Sequence, residues 1–335
     1  MATQELQMST STFGAHVLAL DAPAEVARIA ANIVASLRRF HKRGVVLGLS
    51  GGVDSSVCAA LAVRALGPKK VFGLLMPERD SSSASEDLGR AVAEQLGMPH
   101  LLENIGPTVE AIGCYRWRDE AMREVFPGYS GDWKSKIAIS GAAQGQINHF
   151  KLIVQSPDGV LHEARLPLQA YLQIVAATNY KQRIRKTVEY FHADRLNHAV
   201  IGTPNLLEYD QGFFVKNGDG AADIKPIAHL YKTQVYALAR HLGLPDAVCN
   251  ATPTTDTYSL AQGQDEFYFA LPYDKMDLAL WAHNHALPAA ELAQALGIQP
   301  ADAEIIYADI DAKRRATQYL HARPLLVEPV ASISA

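Results

Sequence analysis

The stretch that most limits the fold of this chain is GVVLGLSGGVDSS, Gly44 to Ser56. Its apolar run, Val45 to Leu49, stops at Ser50-Gly51-Gly52, and an alanine-rich helical pattern follows at once. That order reads as buried strand, glycine turn, helix. Backbone N–H groups at such a helix N-terminus can hold phosphate oxygens. The stretch is not a Walker A loop, because it has neither the GxxxxGK[ST] spacing nor the lysine. Asp54 stands there instead. A carboxylate inside a phosphate cradle repels the phosphates unless a divalent cation lies between them, so the loop predicts nucleotide plus Mg²⁺. Ser50, Ser55 and Ser56 add hydroxyl donors.

Strand and helix patterns alternate on either side of this motif. Pro23 opens a helix running to about Arg43, with Val26, Ile29, Ile33, Leu37 and Phe40 at helical spacing. Further strands are expected at Val71 to Met76, His100 to Glu103 and Leu196 to Ile201. Helices are expected at Ser56 to Leu66, Leu88 to Leu96, Leu168 to about His192 and Leu230 to His241. This alternation calls for an α/β fold with a doubly wound parallel sheet covered on both faces. Residues 1–22 read as a flexible arm and 23–335 as a single domain. The pattern breaks between about 114 and 167, where two alternating segments flank Ser156-Pro157-Asp158-Gly159. That is a β-hairpin signal inside an insertion. The hairpin is either a passive surface excursion or a contact for a partner.

Composition narrows the function classes. The chain has 335 residues, 48% hydrophobic and 20% charged, as in ordinary globular proteins. A net charge of −4 argues against nucleic-acid binding. Cys58, Cys114 and Cys249 form no CxxC pair and read as free thiols. No secretory signal and no bilayer-length apolar run is present, so a cytoplasmic protein without membrane contact is expected.

A second dense region runs GTPNLLEYDQGFFVKNGDGAADIKPIAHLYKTQ, Gly202 to Gln234. Thr203 follows a strand and should sit at the carboxyl edge of the sheet, where open α/β sheets bind ligands. Glu208 lies shortly after it, so Asp54 and Glu208 can grip one Mg²⁺ from two loops. Glycines around Asp219 imply a tight loop. Phe213 and Phe214 either stack a heteroaromatic ring or belong to the core. Lys232, opening a helix, either meets a phosphate or lies on the surface. The basic run Lys181, Arg183, Arg185, Lys186 can face RNA, a dinucleotide's phosphates, or solvent.

SGGVDS resembles the pyrophosphate loop of the N-type ATP pyrophosphatases, whose fold is that of the adenine nucleotide alpha hydrolases. The Gly202 to Gln234 region, PTTDTYS (Pro253 to Ser259) and ATNYKQRIRKTVEY (Ala177 to Tyr190) resemble NAD synthetases. The resemblance implies that Gly48, Leu49, Ser50, Gly51, Gly52, Val53, Asp54 and Ser55 hold the ATP phosphates. It implies Mg²⁺ on Asp54 and Glu208, and ATP contacts from Thr203, Lys232 and Thr254. Asn179, Arg183, Tyr190, Lys216 and Asp223 would contact the dinucleotide substrate, deamido-NAD. Asp219 falls where the family has an acid near the reacting centre, so Asp54, Lys232 and Asp219 are the catalytic candidates. The implied reaction is ATP-dependent amidation through an acyl-adenylate, with release of AMP and pyrophosphate. A related ligase acting on a different adenylated substrate is the competing reading.

Two departures stand out. The compact bacterial enzymes of this family lack an insertion like 114–167. Where they carry a His-Lys pair near the C-terminus, this chain has Ala312-Lys313. The synthetase pattern begins by Gly44, leaving no room for a glutaminase domain. Free ammonia, or ammonia from a separate glutaminase subunit docked on the insertion, is therefore expected. The family's dimers imply a homodimer, and Ile184, Val188 and Phe191 offer apolar packing on the helix of Arg183 and Tyr190.

Overall fold

The computed structural model describes residues 13–140, 149–252, 258–260, 263, 268–269, 271–328 and 330. Helix α1 (Ala22–Phe40) begins where Asp21 accepts from Ala24 N at 3.1 Å, and it buries Val26, Ile29, Ile33 and Leu37. Strand β1 (Val45–Gly48) enters the core and α2 (Val53–Leu66) leaves it. Helix α2 opens earlier than the expected Ser56, which puts Asp54 in its first turn. The positive end of the helix dipole favours an acid there. Next come β2 (Val71–Leu75), α3 (Ser83–Gln95), β3 (His100–Leu102), α4 (Gly106–Ala111) and α5 (Cys114–Val125). The inserted region holds β4 (Lys134–Ser140), β5 (His149–Gln155) and β6 (Leu161–Arg165). The chain returns through α6 (Leu168–Leu196), β7 (Ala199–Val200), α7 (Leu206–Gln211), α8 (Lys232–His241) and α9 (Asp246–Cys249). Helices α10 (Tyr273–Asn284), α11 (Ala289–Leu296) and α12 (Pro300–His321) pack round their own apolar cluster of Met276, Leu280, Leu292 and Ile310.

The main sheet is parallel, in the order β3-β2-β1-β7, with Val45 paired to both Val71 and Ala199. Both faces are covered. Val45 and Leu47 pack with residues of α1, α2 and α8, while Val46 turns the other way onto Val109, Tyr115 and Ala193. Alternate side chains leave opposite faces of a strand, so an all-apolar strand needs helices on both sides. This is the doubly wound arrangement expected from the sequence. Strand β7 is shorter than the run Leu196 to Ile201 suggested. Helix α6 extends to Leu196, and Asn197 closes it at φ 54°, in the left-handed region. No helix among the described residues is long and apolar enough to cross a membrane.

The insertion differs from the expected hairpin. The hairpin is present as β5–β6, closed by Ser156 N to Val160 O at 3.0 Å with Gly159 at φ 87°. A third strand, β4, pairs antiparallel with β5. It escapes a hydropathy reading because Ser135, itself fully buried, breaks the apolar alternation before Ile137. The small sheet is not a passive excursion. Ile137, Leu152 and Val154 pack against Met122 of α5 and Ala170 and Ile174 of α6. The arm expected over 1–22 is also packed over its described part. Ala15–Leu18 forms a 3-10 turn, and the Phe13 ring stacks on Trp281 at 5.6 Å.

Candidate active site

Strand β1 is followed along the chain by its neighbour β2 on one side, and much later by β7 on the other. The strand order therefore reverses at β1/β7, and a crevice opens beyond their carboxyl ends. A cleft of about 820 Å³ lies there. Its wall includes the whole of Gly48 to Ser55, together with Asn179, Arg183, Thr203, Glu208, Lys216, Asp219 and Lys232. Thr254 lies outside the described residues.

The phosphate loop is braced by its own hydroxyls. Ser50 Oγ and Ser55 Oγ are 3.1 Å apart, and Ser55 and Ser56 both donate to Gly52 O, at 3.1 and 2.8 Å. Gly51 has φ 77°, and a Cβ there would lie 2.3 Å from Ser85 O. Only glycine fits this position.

Lys232 is not a surface lysine. It is 2% exposed and its Nζ pairs with Asp54 Oδ2. Burial opposes its charge, but Asp54 and Glu208 outweigh burial and hold it protonated, well above the ordinary lysine range. The other oxygen, Asp54 Oδ1, accepts from Asn205 Nδ2 at 3.1 Å, while Glu208 Oε2 accepts from Asn205 N at 3.2 Å. Asn205 thus links the two carboxylates, a role the sequence reading missed. Its signal is the capping box Asn205-x-x-Glu208. Asp277, also missed, caps α8 from α10 by accepting from Lys232 N at 3.2 Å and Thr233 N at 2.7 Å. Burial outweighs the donors of Thr233 and Lys232 and the Lys232 charge, and pushes Asp277 up to about 6.

The candidates for the dinucleotide divide. Arg183 Nε donates to Lys216 O at 3.3 Å, and Lys216 Nζ donates to Tyr319 O at 2.6 Å near the end of α12. Asp219 is partly buried, its Oδ1 accepting from Val215 N at 2.7 Å, and its desolvation raises its pKa. Tyr190 and Asp223 do not line this cleft. Tyr190 donates to Asp223 Oδ1 at 3.3 Å, and Asp223 Oδ2 accepts from Val200 N at 2.7 Å. Phe213 both lines the cleft and packs, stacked on Tyr268 at 4.8 Å. Phe214 lies 6.0 Å from the Tyr209 ring. Lys313 lines the cleft as well, with Nζ 2.6 Å from Asp309 Oδ2 and 4.9 Å from the Tyr268 ring.

The basic run on α6 is neither an RNA face nor solvated along its length. Lys181 is buried against Asp80 at 2.6 Å and Glu78 at 3.0 Å, and Lys186 against Glu189 at 2.5 Å. Arg185 Nε donates to Met76 O at 3.4 Å. Charge alone does not reveal this, because the acids that meet Lys181 come from the β2–α3 loop. The insertion reaches the cleft too. Phe150 of β5 lines it and stacks on Tyr171 at 4.0 Å, and Ser135 holds the segment carrying Ser259 and Leu260.

The fold and this cleft can be set beside known proteins. The family model of NAD synthase matches residues 25–127 and 134–318, which is most of the chain. The chain belongs to the NAD synthase family. An NH(3)-dependent NAD(+) synthetase of Rhizobium meliloti (strain 1021) is 58% identical over 322 residues, 96% of each chain. A match of that span takes in the inserted sheet, so the insertion is not peculiar to this chain. Among solved structures, NMN synthetase from Francisella tularensis aligns with TM-score 0.62 at 21% identity, over 92% of this chain and 99% of that one. The NH3-dependent NAD synthetase from Campylobacter jejuni aligns with TM-score 0.60 at 22% identity, over 92% and 100%. At these identities the two likenesses speak for the fold.

Proposed function

We propose that this chain converts deamido-NAD to NAD with ATP and ammonia, as an AMP-forming ligase of a C–N bond. The observation that carries the reading is the Asp54–Lys232–Glu208 constellation on a phosphate loop at the switch crevice, in a chain so close to ammonia-dependent relatives. A carboxylate is a poor acyl electrophile, because ammonia cannot displace oxide from it. Attack of the substrate carboxylate on the α-phosphorus of ATP makes that oxygen part of a good leaving group, AMP. Pyrophosphate departs into the Ser50–Ser55 loop, where Lys232 spreads the developing charge. Ammonia then attacks the acyl carbon and AMP leaves. Asp219 takes a proton in that second step.

Mg²⁺ fits the residues present. The oxygen-only donors Asp54 and Glu208 face the same Lys232, and a few carboxylates plus phosphate oxygens are what Mg²⁺ takes. Among the described residues no cluster of three or more His, Cys, Asp or Glu offers an all-protein metal cage. Bound there, Mg²⁺ would neutralise charge on the phosphates. Arg183 and Lys216 serve the dinucleotide. Tyr190 and Asp223, which lie off the cleft, serve it from the edge of a homodimer interface on α6. Of the apolar residues expected there, Phe191 is exposed and, with the exposed Leu168 and Leu172, supports such a contact, whereas Ile184 and Val188 pack into this chain's own core beside Tyr115 and Ala193.

The test is production of AMP and NAD from ATP and deamido-NAD. Ammonium should support it and glutamine alone should not. Robust glutamine use by the isolated chain refutes the nitrogen assignment, and absence of NAD with either donor refutes the reaction. Light scattering at assay concentration should report a dimer; a fully active monomer removes the shared site.

A further inference from the structure

One charged pair lining the cleft, Lys186 and Glu189, has no task in the amidation steps. Lys186 and Glu189, one turn apart on α6, are 5% and 7% exposed, with Lys186 Nζ donating to Glu189 Oε2 at 2.5 Å. Both line the cleft beside Asp219. Burying such a pair is a weak way to gain stability, since apolar residues of similar volume often do as well. Its placement is specific. A Cβ on Gly48 would lie 3.1 Å from Glu189 Oε1, so the carboxyl group sits against the end of β1, where the phosphate loop begins. Gly48 therefore makes room for Glu189 as well as opening the loop. Asp219 reaches the same region from the loop that follows α7, close enough for the two carboxyl groups to act on each other electrostatically.

We propose that Glu189 is a second proton acceptor for amidation, acting with Asp219, and that Lys186 is the residue that positions it. The inference rests on the amidation reading. The nitrogen donor in neutral water is mainly ammonium. It loses one proton to become a nucleophile. Its lone pair then forms the C–N bond at the acyl carbon, and the C–O bond to the adenylate phosphate breaks with its electron pair leaving on AMP. The new amide nitrogen sheds a second proton. Two protons leave, and two carboxyl groups, the buried Glu189 and the partly buried Asp219, stand in the cleft to receive them. Burial raises the pKa of both, partly offset at Glu189 by Lys186 and Arg185 on its own helix and at Asp219 by backbone N–H groups and Lys186. A carboxylate of raised pKa is the better base. Lys225 faces Asp219 from the next stretch of chain, and Tyr190 lies within electrostatic reach of Glu189.

The experiment separates the two half-reactions. Exchange of labelled pyrophosphate into ATP, dependent on deamido-NAD, reports adenylation without ammonia. Amidation is then followed across pH with ammonium, and with hydroxylamine, a nucleophile already neutral at the assay pH. Glu189→Gln should keep exchange within about twofold and lose ammonium-dependent amidation on the order of a hundredfold. Its activity should recover towards higher pH and with hydroxylamine, and Glu189→Asp should restore part of the rate. An undiminished ammonium rate in Glu189→Gln overturns the proposal. So does equal loss of exchange and amidation, which marks a merely structural pair. Should Glu189→Gln fail to fold, Lys186→Met carries the test: the ammonium pH profile should shift while exchange persists, and an unshifted profile overturns the assignment. Failure of the wild-type chain in both half-reactions would instead refute the amidation reading, whatever Glu189 does.

Discussion

Gly212 joins the site to α12, and replacing it with alanine should unseat that helix. The residue closes α7 at φ 72°, and an added Cβ would lie 2.2 Å from Thr317 Cβ, 2.5 Å from its Oγ1 and 2.6 Å from its Cγ2. Two terms follow. A left-handed alanine costs about 1 kcal/mol or somewhat more. Carbon atoms in ordinary contact stand about 3.5–4.0 Å apart, so α12 must retreat by more than ~1 Å or strain in place. Overpacking of that size costs about 1–3 kcal/mol. The sum for Gly212→Ala is about 2–4 kcal/mol, read as a lower urea midpoint at fixed protein concentration. Thr317→Ala leaves the closest atom in place, so it should rescue little. Thr317→Gly removes the clash but not the backbone term, and in the double variant about 1 kcal/mol of deficit should remain beyond the helix cost of the new glycine. Because Arg314 of α12 holds Asp210 of α7 through two contacts of 2.7 Å, the retreat also displaces the wall that carries Lys313. A loss under about 0.5 kcal/mol, or full rescue by Thr317→Ala, would refute the reasoning.

Three further outcomes are expected. Asp54→Asn and Glu208→Gln should each lower kcat about a hundredfold, roughly 3 kcal/mol of transition-state stabilisation, and weaken the Mg²⁺ dependence of ATP binding by calorimetry; wild-type turnover in both removes the metal assignment. Asp277 is raised to about 6, so its native state favours the protonated form. Relative to Asp277→Asn, the stability it contributes should be full below about pH 4 and fall as pH rises through its folded pKa, and parallel stability curves from acid to neutral pH would contradict this. Arg118→Met should cost about 3 kcal/mol in urea unfolding, the low end for breaking a buried pair, because Asp119 loses its close partner at 2.8 Å and keeps only Arg79 at 3.9 Å, while Asp80 keeps Lys181. A loss below about 1 kcal/mol would mean that Arg79 or water satisfies Asp119 instead.

The chain's local patterns determined the frame. An apolar run ending in Ser50-Gly51-Gly52 has few conformations open to it, since Gly51 must take a positive φ against Ser85, and so the strand, loop and helix were legible from spacing. Alternating apolar strands and amphipathic helices likewise specify a parallel sheet buried on both faces. Asp54 and Glu208 could be matched because each lies just beyond a strand, and all strands of a parallel sheet end at the same edge. Tertiary structure alone decided which charges face water. Lys181 and Lys186 read as an exposed basic run, yet they are buried, because Glu78 and Asp80 arrive from a loop a hundred residues earlier in the chain and Glu189 is swung under Gly48 by the turn of α6. The insertion's part in the cleft was hidden for the same reason. Phe150 and Ser135 matter through what they touch, and those contacts are made across the sequence, where periodicity carries no information.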